Sequence, residues 1–357
     1  MKKRIGILTG GGDCPGLNAV IRAAVRNAIT HFDYDVVGIE QGFEGLIQNR
    51  TRPLTLSDIR GILPKGGTLL KTTNRGNPFA YQQRGNGEPP QDRSEDVVRN
   101  VRNLGLDGVI AIGGEGTLKI AKQLCDMGVP IVGVPKTIDN DVCGTDYSFG
   151  FMTAVFTATE AIDRLHSTAE SHNRVMILEV MGRHAGWISL YSGIAGGADI
   201  ILIPEIPFDT EQIVTTIQER EQSGALFAII VVAEGARWAG GEQFWVAKES
   251  NRLGGVAFQV AEALQQRIDL DIRVTVLGHV QRGGSPIPFD RILATRYGKH
   301  AVDLVAAGEF GKMSAYREDE MIAVTINDAI GRLKLVNPDG DLVRTALSVG
   351  ISMGDGR

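Results

Sequence analysis

Short apolar runs alternate with amphipathic stretches along almost the whole chain, and this alternation limits the fold more than any other feature. Arg4–Thr9, Asp35–Glu40, Gly108–Ile112, Pro130–Val134, Arg174–Val180, Asp199–Ile203, Leu226–Ala233 and Arg273–Leu277 have the length and apolar content of buried strands. Helical patterns lie between them, among them Leu17–Ile29, Ser94–Leu104, Phe151–Ser167, Thr210–Gln222, Val256–Arg267 and Asp290–Ala307. Strand, helix and strand in that order predict right-handed βαβ units and mostly parallel sheets, an α/β fold. Ligands gather at the carboxyl ends of such strands. Asn74–Arg93 is polar and rich in Gly, Pro, Gln and Arg, which predicts a long loop.

With 357 residues, 43% of them hydrophobic and 22% charged, the chain can build one large or two ordinary soluble domains. Its net charge of -5 argues against a nucleic-acid partner, while a local arginine cluster can still hold a small anion. Cys14, Cys125 and Cys143 are odd in number and scattered, which suits a reducing cytoplasm better than a disulfide scaffold. The basic Met1–Arg4 runs straight into Ile5–Thr9 without an apolar signal core, and no stretch reads as a membrane span.

Three segments carry chemistry. Gly10-Gly11-Gly12-Asp13-Cys14-Pro15-Gly16 follows the first strand and opens a helix, where backbone amides can hold phosphate. A tight turn without a ligand is the plain alternative. Gly113-Gly114-Glu115-Gly116-Thr117 repeats the arrangement with an acid that could hold magnesium beside a polyphosphate. Here the alternative is a helix cap made by Glu115 and Thr117. Lys136-Thr137-Ile138-Asp139-Asn140-Asp141 places a cation, a hydroxyl and two acids just past the strand Pro130–Val134. One acid there can take a proton and another can act through a metal.

Together with Met181-Gly182-Arg183 and Gly278-His279-Val280-Gln281-Arg282-Gly283-Gly284, these segments resemble the phosphofructokinases, in the family's order from Arg4 to about Gly308. The resemblance implies phosphorylation of fructose 6-phosphate at its 1-hydroxyl, with magnesium. It implies two doubly wound, mostly parallel α/β domains with the active site in the cleft between them. The donor domain would take residues 1–150 and about 281–331, and the sugar domain 151–280 and about 332–357. It further implies a cytoplasmic homotetramer with no nucleic-acid or membrane partner.

Carried over by position, Asp139 matches the base that deprotonates the sugar hydroxyl and Asp141 its accompanying acid. Thr137 matches a contact to the transferred phosphoryl group and substrate. Glu115 matches the metal-associated acid, where many relatives have Asp. Gly11, Gly12, Gly114, Gly116 and Thr117 match the donor pocket, with Arg75 and Gly76 on its arginine side. Met181, Gly182 and Arg183 resemble the substrate loop, and Glu234 an acid that binds sugar hydroxyls. Arg174, Arg273, His279 and Arg282 resemble the 6-phosphate clamp, with Arg174 and Arg273 reaching from a neighbouring subunit. Each has a plain alternative: surface ion pairs for Arg174 and Arg273, a core histidine for His279, and a turn cap for Glu234.

Two positions bear on the donor. Family members with glycine at Gly116 have room for a nucleotide α-phosphate, where pyrophosphate users carry aspartate. Lys136 stands where typical bacterial ATP enzymes have glycine and pyrophosphate users have lysine. The combination resembles the family's mixed-substrate branch and favours ATP, with pyrophosphate as the alternative. In relatives an effector site holds basic residues. Arg22 and Arg26 match it, whereas His166 replaces an arginine, so the resemblance implies altered allosteric control. A dinucleotide oxidoreductase lacks its glycine fingerprint here. NAD or lipid kinases do not share both Lys136–Asp141 and Gly278–Gly284. A sugar-phosphate sensor predicts broken acids, yet Glu115, Asp139 and Asp141 are intact.

Overall fold

The expected strand–helix alternation is realised in two separate units. The computed structural model describes residues 2–83, 89–247 and 252–357. In chain order its elements begin β1 (Arg4–Thr9), α1 (Leu17–Phe32), β2 (Asp35–Ile39), α2 (Phe43–Ile47), β3 (Thr51–Leu54), α3 (Ser94–Asn103), β4 (Gly108–Gly113), α4 (Glu115–Asp126) and β5 (Ile131–Pro135). They continue with α5 (Phe151–His172), β6 (Arg174–Val180), α6 (Trp187–Ala195), β7 (Ile200–Leu202), α7 (Thr210–Gln222), β8 (Ala228–Ala233), β9 (Trp245–Ala247), β10 (Arg252–Leu253), α8 (Val256–Gln265) and β11 (Asp271–Val276). The last are α9 (Pro288–Ala306), β12 (Lys312–Arg317), β13 (Glu320–Thr325), α10 (Ile326–Ile330) and α11 (Asp341–Ser348).

One unit comprises Met1–Ile138, Val142–Met152 and Arg282–Leu333; the other comprises Asp139–Asp141, Thr153–Gln281 and Lys334–Arg357. The first holds a seven-stranded sheet in the order β13-β12-β5-β4-β1-β2-β3. Its centre is parallel, and β4 and β5 are buried at every position. Strands covered on both faces must be apolar throughout, which is why Gly108–Ile112 and Pro130–Val134 read as unbroken runs.

The edges depart from the parallel expectation. β3 and β13 pair antiparallel with β2 and β12. Neither edge hairpin is visible as an apolar run, because each is short and half exposed. Pro53 sits in β3, and an edge strand tolerates the missing amide.

The second unit holds a four-stranded parallel sheet in the order β11-β6-β8-β7. Val175, Ile177, Ile230 and Val232 form its core with Val256, Val260 and Leu264 from α8 and Ile213 and Ile217 from α7. α5 runs five residues beyond the expected Ser167 to His172 and is followed by Asn173 in the left-handed conformation at φ 50°. Other boundaries shift as well, among them two strand starts. β8 begins at Ala228 rather than Leu226, and β11 begins at Asp271 rather than Arg273.

In the expected loop Asn74–Arg93, residues 84–88 lie outside the described residues. Its described parts carry a short 3-10 helix, Pro78–Ala80, and a bridge between Tyr81 and Gln91. Among the described residues no helix is long and apolar enough to cross a membrane.

Ile110 is fully buried at the centre of β4, flanked by β1 and β5. Ile110→Ala is expected to cost about 2–5 kcal/mol, read as a lower urea midpoint for the far-UV circular dichroism transition.

Candidate active site

Register fixes the phosphate-holding half. Thr9 pairs with Ile112 and Gly113 with Pro135 across the β1·β4·β5 centre. The ladder continues past the strands: Gly10 N–H donates to Ile112 O at 2.9 Å, and Lys136 N–H donates to Gly113 O at 2.9 Å. The turns after β1, β4 and β5 therefore leave the sheet side by side. Thr117 is buried between two of them. A Cβ on Gly10 would lie 2.7 Å from its hydroxyl oxygen, and one on Gly113 would lie 2.3 Å from its Cβ. Glycine at both positions follows from that packing.

Gly11 adopts φ 77°. Its amide donates to Thr73 O at 3.2 Å, and its carbonyl oxygen accepts from the Thr72 hydroxyl at 2.5 Å. Lys136 is buried, and its ammonium donates to the Gly12 carbonyl oxygen. Arg282 approaches the same turn, donating to the Asp13 carbonyl oxygen at 3.3 Å. Two cations from distant parts of the sequence thus meet one glycine-rich turn, an arrangement suited to an anion.

A cleft of about 610 Å³ opens beside these turns. Gly10, Gly11, Gly116 and Thr117 form one wall; Phe43, Ile120 and Ile330 supply apolar surface, and Asn74, Lys119, Lys122 and Gln123 supply polar groups. A Cβ on Gly116 would meet nothing within 4 Å, so packing does not demand glycine there. Arg75 is exposed and borders a separate polar hollow of about 570 Å³ with Gln41, Glu44 and Gln82, whereas Gly76 is buried and lines the cleft.

Glu115 stands in the first turn of α4 and pairs with Lys119 at 2.8 Å. The helix N-cap is Gly114 with no side-chain capping bond, so the cap alternative for Glu115 and Thr117 is not realised. Among the described residues no group of three or more His, Cys, Asp and Glu is placed to hold a metal. One hard carboxylate next to a phosphate-holding turn still fits magnesium, which keeps most of its shell as water and substrate oxygens.

Thr137 is half-buried, and its carbonyl oxygen accepts from the Ser148 hydroxyl at 2.8 Å. Asp139 and Asp141 are also half-buried, and Asn140 between them takes φ 53°. Asparagine tolerates this left-handed geometry better than most residues, which gives the residue between the two acids a conformational role. Asp141 O accepts from Lys334 N–H at 2.8 Å.

In the second unit, Val180 pairs with Ala233 and Val276 with Glu179. Met181-Gly182-Arg183, Glu234 and the 3-10 helix Gly278–Arg282 therefore follow adjacent strand ends. Glu234 is half-buried, and its amide donates to Val180 O at 2.8 Å. His279 is exposed, which removes the core-histidine alternative.

Arg174 and Arg273 lie elsewhere. Both belong to the amino-terminal halves of their strands, where Asp271 takes Arg174 Nε at 3.4 Å and Arg273 Nη2 at 3.0 Å. The ion pairs considered from sequence are thus present. Strand rise puts Arg174 roughly 20 Å from Met181 at the other end of β6. Arg282 is grouped with the first unit, beside Gly12, rather than with His279.

Three positioning groups escaped the sequence reading. Gln281 is fully buried, and its Oε1 accepts the Met181 amide at 2.7 Å. Glu205 accepts Gly186 N–H at 3.0 Å and Val336 N–H at 2.8 Å, and burial pushes its carboxyl above the usual range. Glu179 is buried and accepts Gly255 and Ala257 N–H, each at 3.0 Å, at the start of α8. Only Gln281 carried a signal, as an amide inside the Gly278–Gly284 segment.

Parallel strands ending in glycine-rich turns, with a buried lysine and a half-buried arginine reaching one of them, define a phosphate-handling α/β protein. Residues 4–305 match the phosphofructokinase family. An ATP-dependent 6-phosphofructokinase of Chloroflexus aurantiacus is 52% identical over 356 residues, covering 99% of this chain and 98% of that protein. A pyrophosphate–fructose 6-phosphate 1-phosphotransferase of Streptomyces coelicolor is 51% identical over 343 residues, covering 94% and 96%. The solved phosphofructokinase of Pichia pastoris superposes with a TM-score of 0.80 at 33% identity, covering 93% of this chain. This chain spans 38% of the length of that yeast chain. The chain belongs to the phosphofructokinase family.

Cys14 lies at the centre of the first turn's support. It is fully buried, its thiol donates to Phe149 O at 3.6 Å, and desolvation pushes its pKa up to about 12. Cys14 is therefore expected to resist iodoacetamide at pH 8 in the native chain and to react once urea unfolds it, read by peptide mass spectrometry.

Proposed function

We propose that this protein transfers a phosphoryl group from ATP to the 1-hydroxyl of fructose 6-phosphate, forming fructose 1,6-bisphosphate in the cytoplasm. The first unit takes the donor and the second takes the sugar phosphate. Asp139 accepts the hydroxyl proton with Asp141 beside it, while Thr137 and Arg183 contact the moving phosphoryl group. Positioning and charge neutralisation supply most of such catalysis. Gly11, Gly12, Gly114 and Thr117 hold the donor phosphates, with Arg75 and Gly76 at the outer side. Magnesium would be held by Glu115, directly or through water, and would neutralise polyphosphate charge. Met181, Gly182, Glu234, His279 and Arg282 bind the sugar phosphate.

Gly116 is the observation that carries the ATP assignment. It borders the cleft with open space at its Cβ position, beside the apolar surface of Phe43 and Ile120 that suits a nucleoside. Pyrophosphate is favoured by a different observation, the Lys136 ammonium on the Gly12 carbonyl oxygen, where it can neutralise a small dianionic leaving group. The two similar relatives carry opposite donors in their names. The proposal includes self-association, which the strand geometry supports. In this reading Arg174 and Arg273 serve a neighbouring subunit's site in a homotetramer, and their place in the amino-terminal halves of β6 and β11, away from the Met181 end, supports it.

Asp139→Ser is expected to lower kcat about 10²–10⁴-fold while sugar-phosphate affinity, measured by calorimetry, stays near wild type. Near-normal turnover would remove Asp139 as base. Initial rates of the wild type with each donor test the assignment, and activity with pyrophosphate alone would reverse it. Gly116→Asp should raise the KM for ATP on the order of tenfold or more by steric and charge exclusion. The KM for fructose 6-phosphate should stay unchanged.

A further inference from the structure

Two side chains outside every segment assigned above converge on Arg183. Gln243 Nε2 donates to the Arg183 carbonyl oxygen at 2.9 Å and to the Gly235 carbonyl oxygen at 3.0 Å. Trp245, the first residue of β9, lays its ring against the Arg183 guanidinium, with Cζ 5.6 Å from the ring centroid. Behind them the two turns are in backbone contact. Gly235 N–H donates to Gly182 O at 3.2 Å, and a Cβ on Gly235 would lie 2.0 Å from Arg183 O.

From this geometry we propose that Gln243 and Trp245 are positioning residues for Arg183 in phosphoryl transfer. Gln243 fixes the backbone that carries the arginine, by joining its carbonyl to that of the turn bearing Glu234. Trp245 fixes the guanidinium plane. An arginine has many rotamers, and a ring face restrains it without consuming an N–H donor. Misplacement by about 1 Å can cost on the order of a hundredfold in rate, so a side chain that only steers Arg183 has kinetic weight. The inference rests on the role proposed for Arg183 above.

Steady-state kinetics of the full chain with fructose 6-phosphate and its preferred donor test it. Trp245→Leu keeps an apolar side chain and deletes the ring. It should lower kcat about tenfold or more, with little change in the KM for fructose 6-phosphate. Trp245→Phe restores a ring face and should recover most of the loss. In an Arg183→Ala background Trp245→Leu should cost nothing further, because it acts through that arginine. Gln243→Leu carries the same expectations, and it replaces the tryptophan variant if that one fails to fold. Wild-type kcat in Trp245→Leu, or an undiminished loss in the Arg183→Ala background, would overturn the positioning role alone. A wild-type chain that does not phosphorylate fructose 6-phosphate at all would overturn the functional reading and this inference with it.

Discussion

The parallel register of β1, β4 and β5 is the constraint on which the phosphate half depends. It sets Thr9 beside Ile112 and Gly113 beside Pro135, so three turns leave the sheet together. The strands are buried on both faces, and a one-residue slip would turn their side chains around. Apolar packing thereby fixes where Gly10–Gly12, Gly113–Thr117 and Lys136 emerge. Thr117 locks the arrangement by filling the space that two missing Cβ atoms leave. The second unit repeats the device with β6, β8 and β11, whose carboxyl ends release Met181, Glu234 and the Gly278–Arg282 turn.

Charge is distributed with similar economy. Lys136 and Arg282 reach a single turn through its carbonyl oxygens, which sets two cations beside one glycine-rich turn. Glu179 and Glu205 are spent differently. Each accepts two backbone amides, Glu205 from two separate segments and Glu179 from the start of α8, so each carboxylate fastens backbone rather than performing chemistry. A buried carboxylate is tolerable when its oxygens are satisfied in this way.

The donor question rests on two residues that answer to different forces. Gly116 is not required by backbone strain or packing, so its effect is to leave the cleft open. Lys136 has a structural contact, because its buried side chain donates to a carbonyl oxygen of the first glycine turn. A lysine with a structural task can stand in a site that accepts a nucleotide. That reconciles a residue shared with pyrophosphate users with a cavity large enough for more than pyrophosphate.

Much of this was legible in the residues. The central strands read clearly because burial on both faces forces unbroken apolar runs, and the glycine turns read clearly because close backbone approach excludes a Cβ. The edge strands β3 and β13 did not, since half-exposed strands carry mixed sequences whose pairing is decided by neighbours. Arg174 and Arg273 look like clamp residues in a linear motif, and only folding shows that both pair with Asp271 in the amino-terminal halves of their strands. Gln243 and Trp245 lie in no motif, and only the fold brings them to Arg183. The sequence by itself determined the alternating α/β fold, the family and the chemical groups at the strand ends, because those follow from local pattern and residue type. Tertiary structure alone decided which cation meets which turn, which glycines are compulsory and which side chains steer Arg183, because those depend on contacts between residues far apart in the chain.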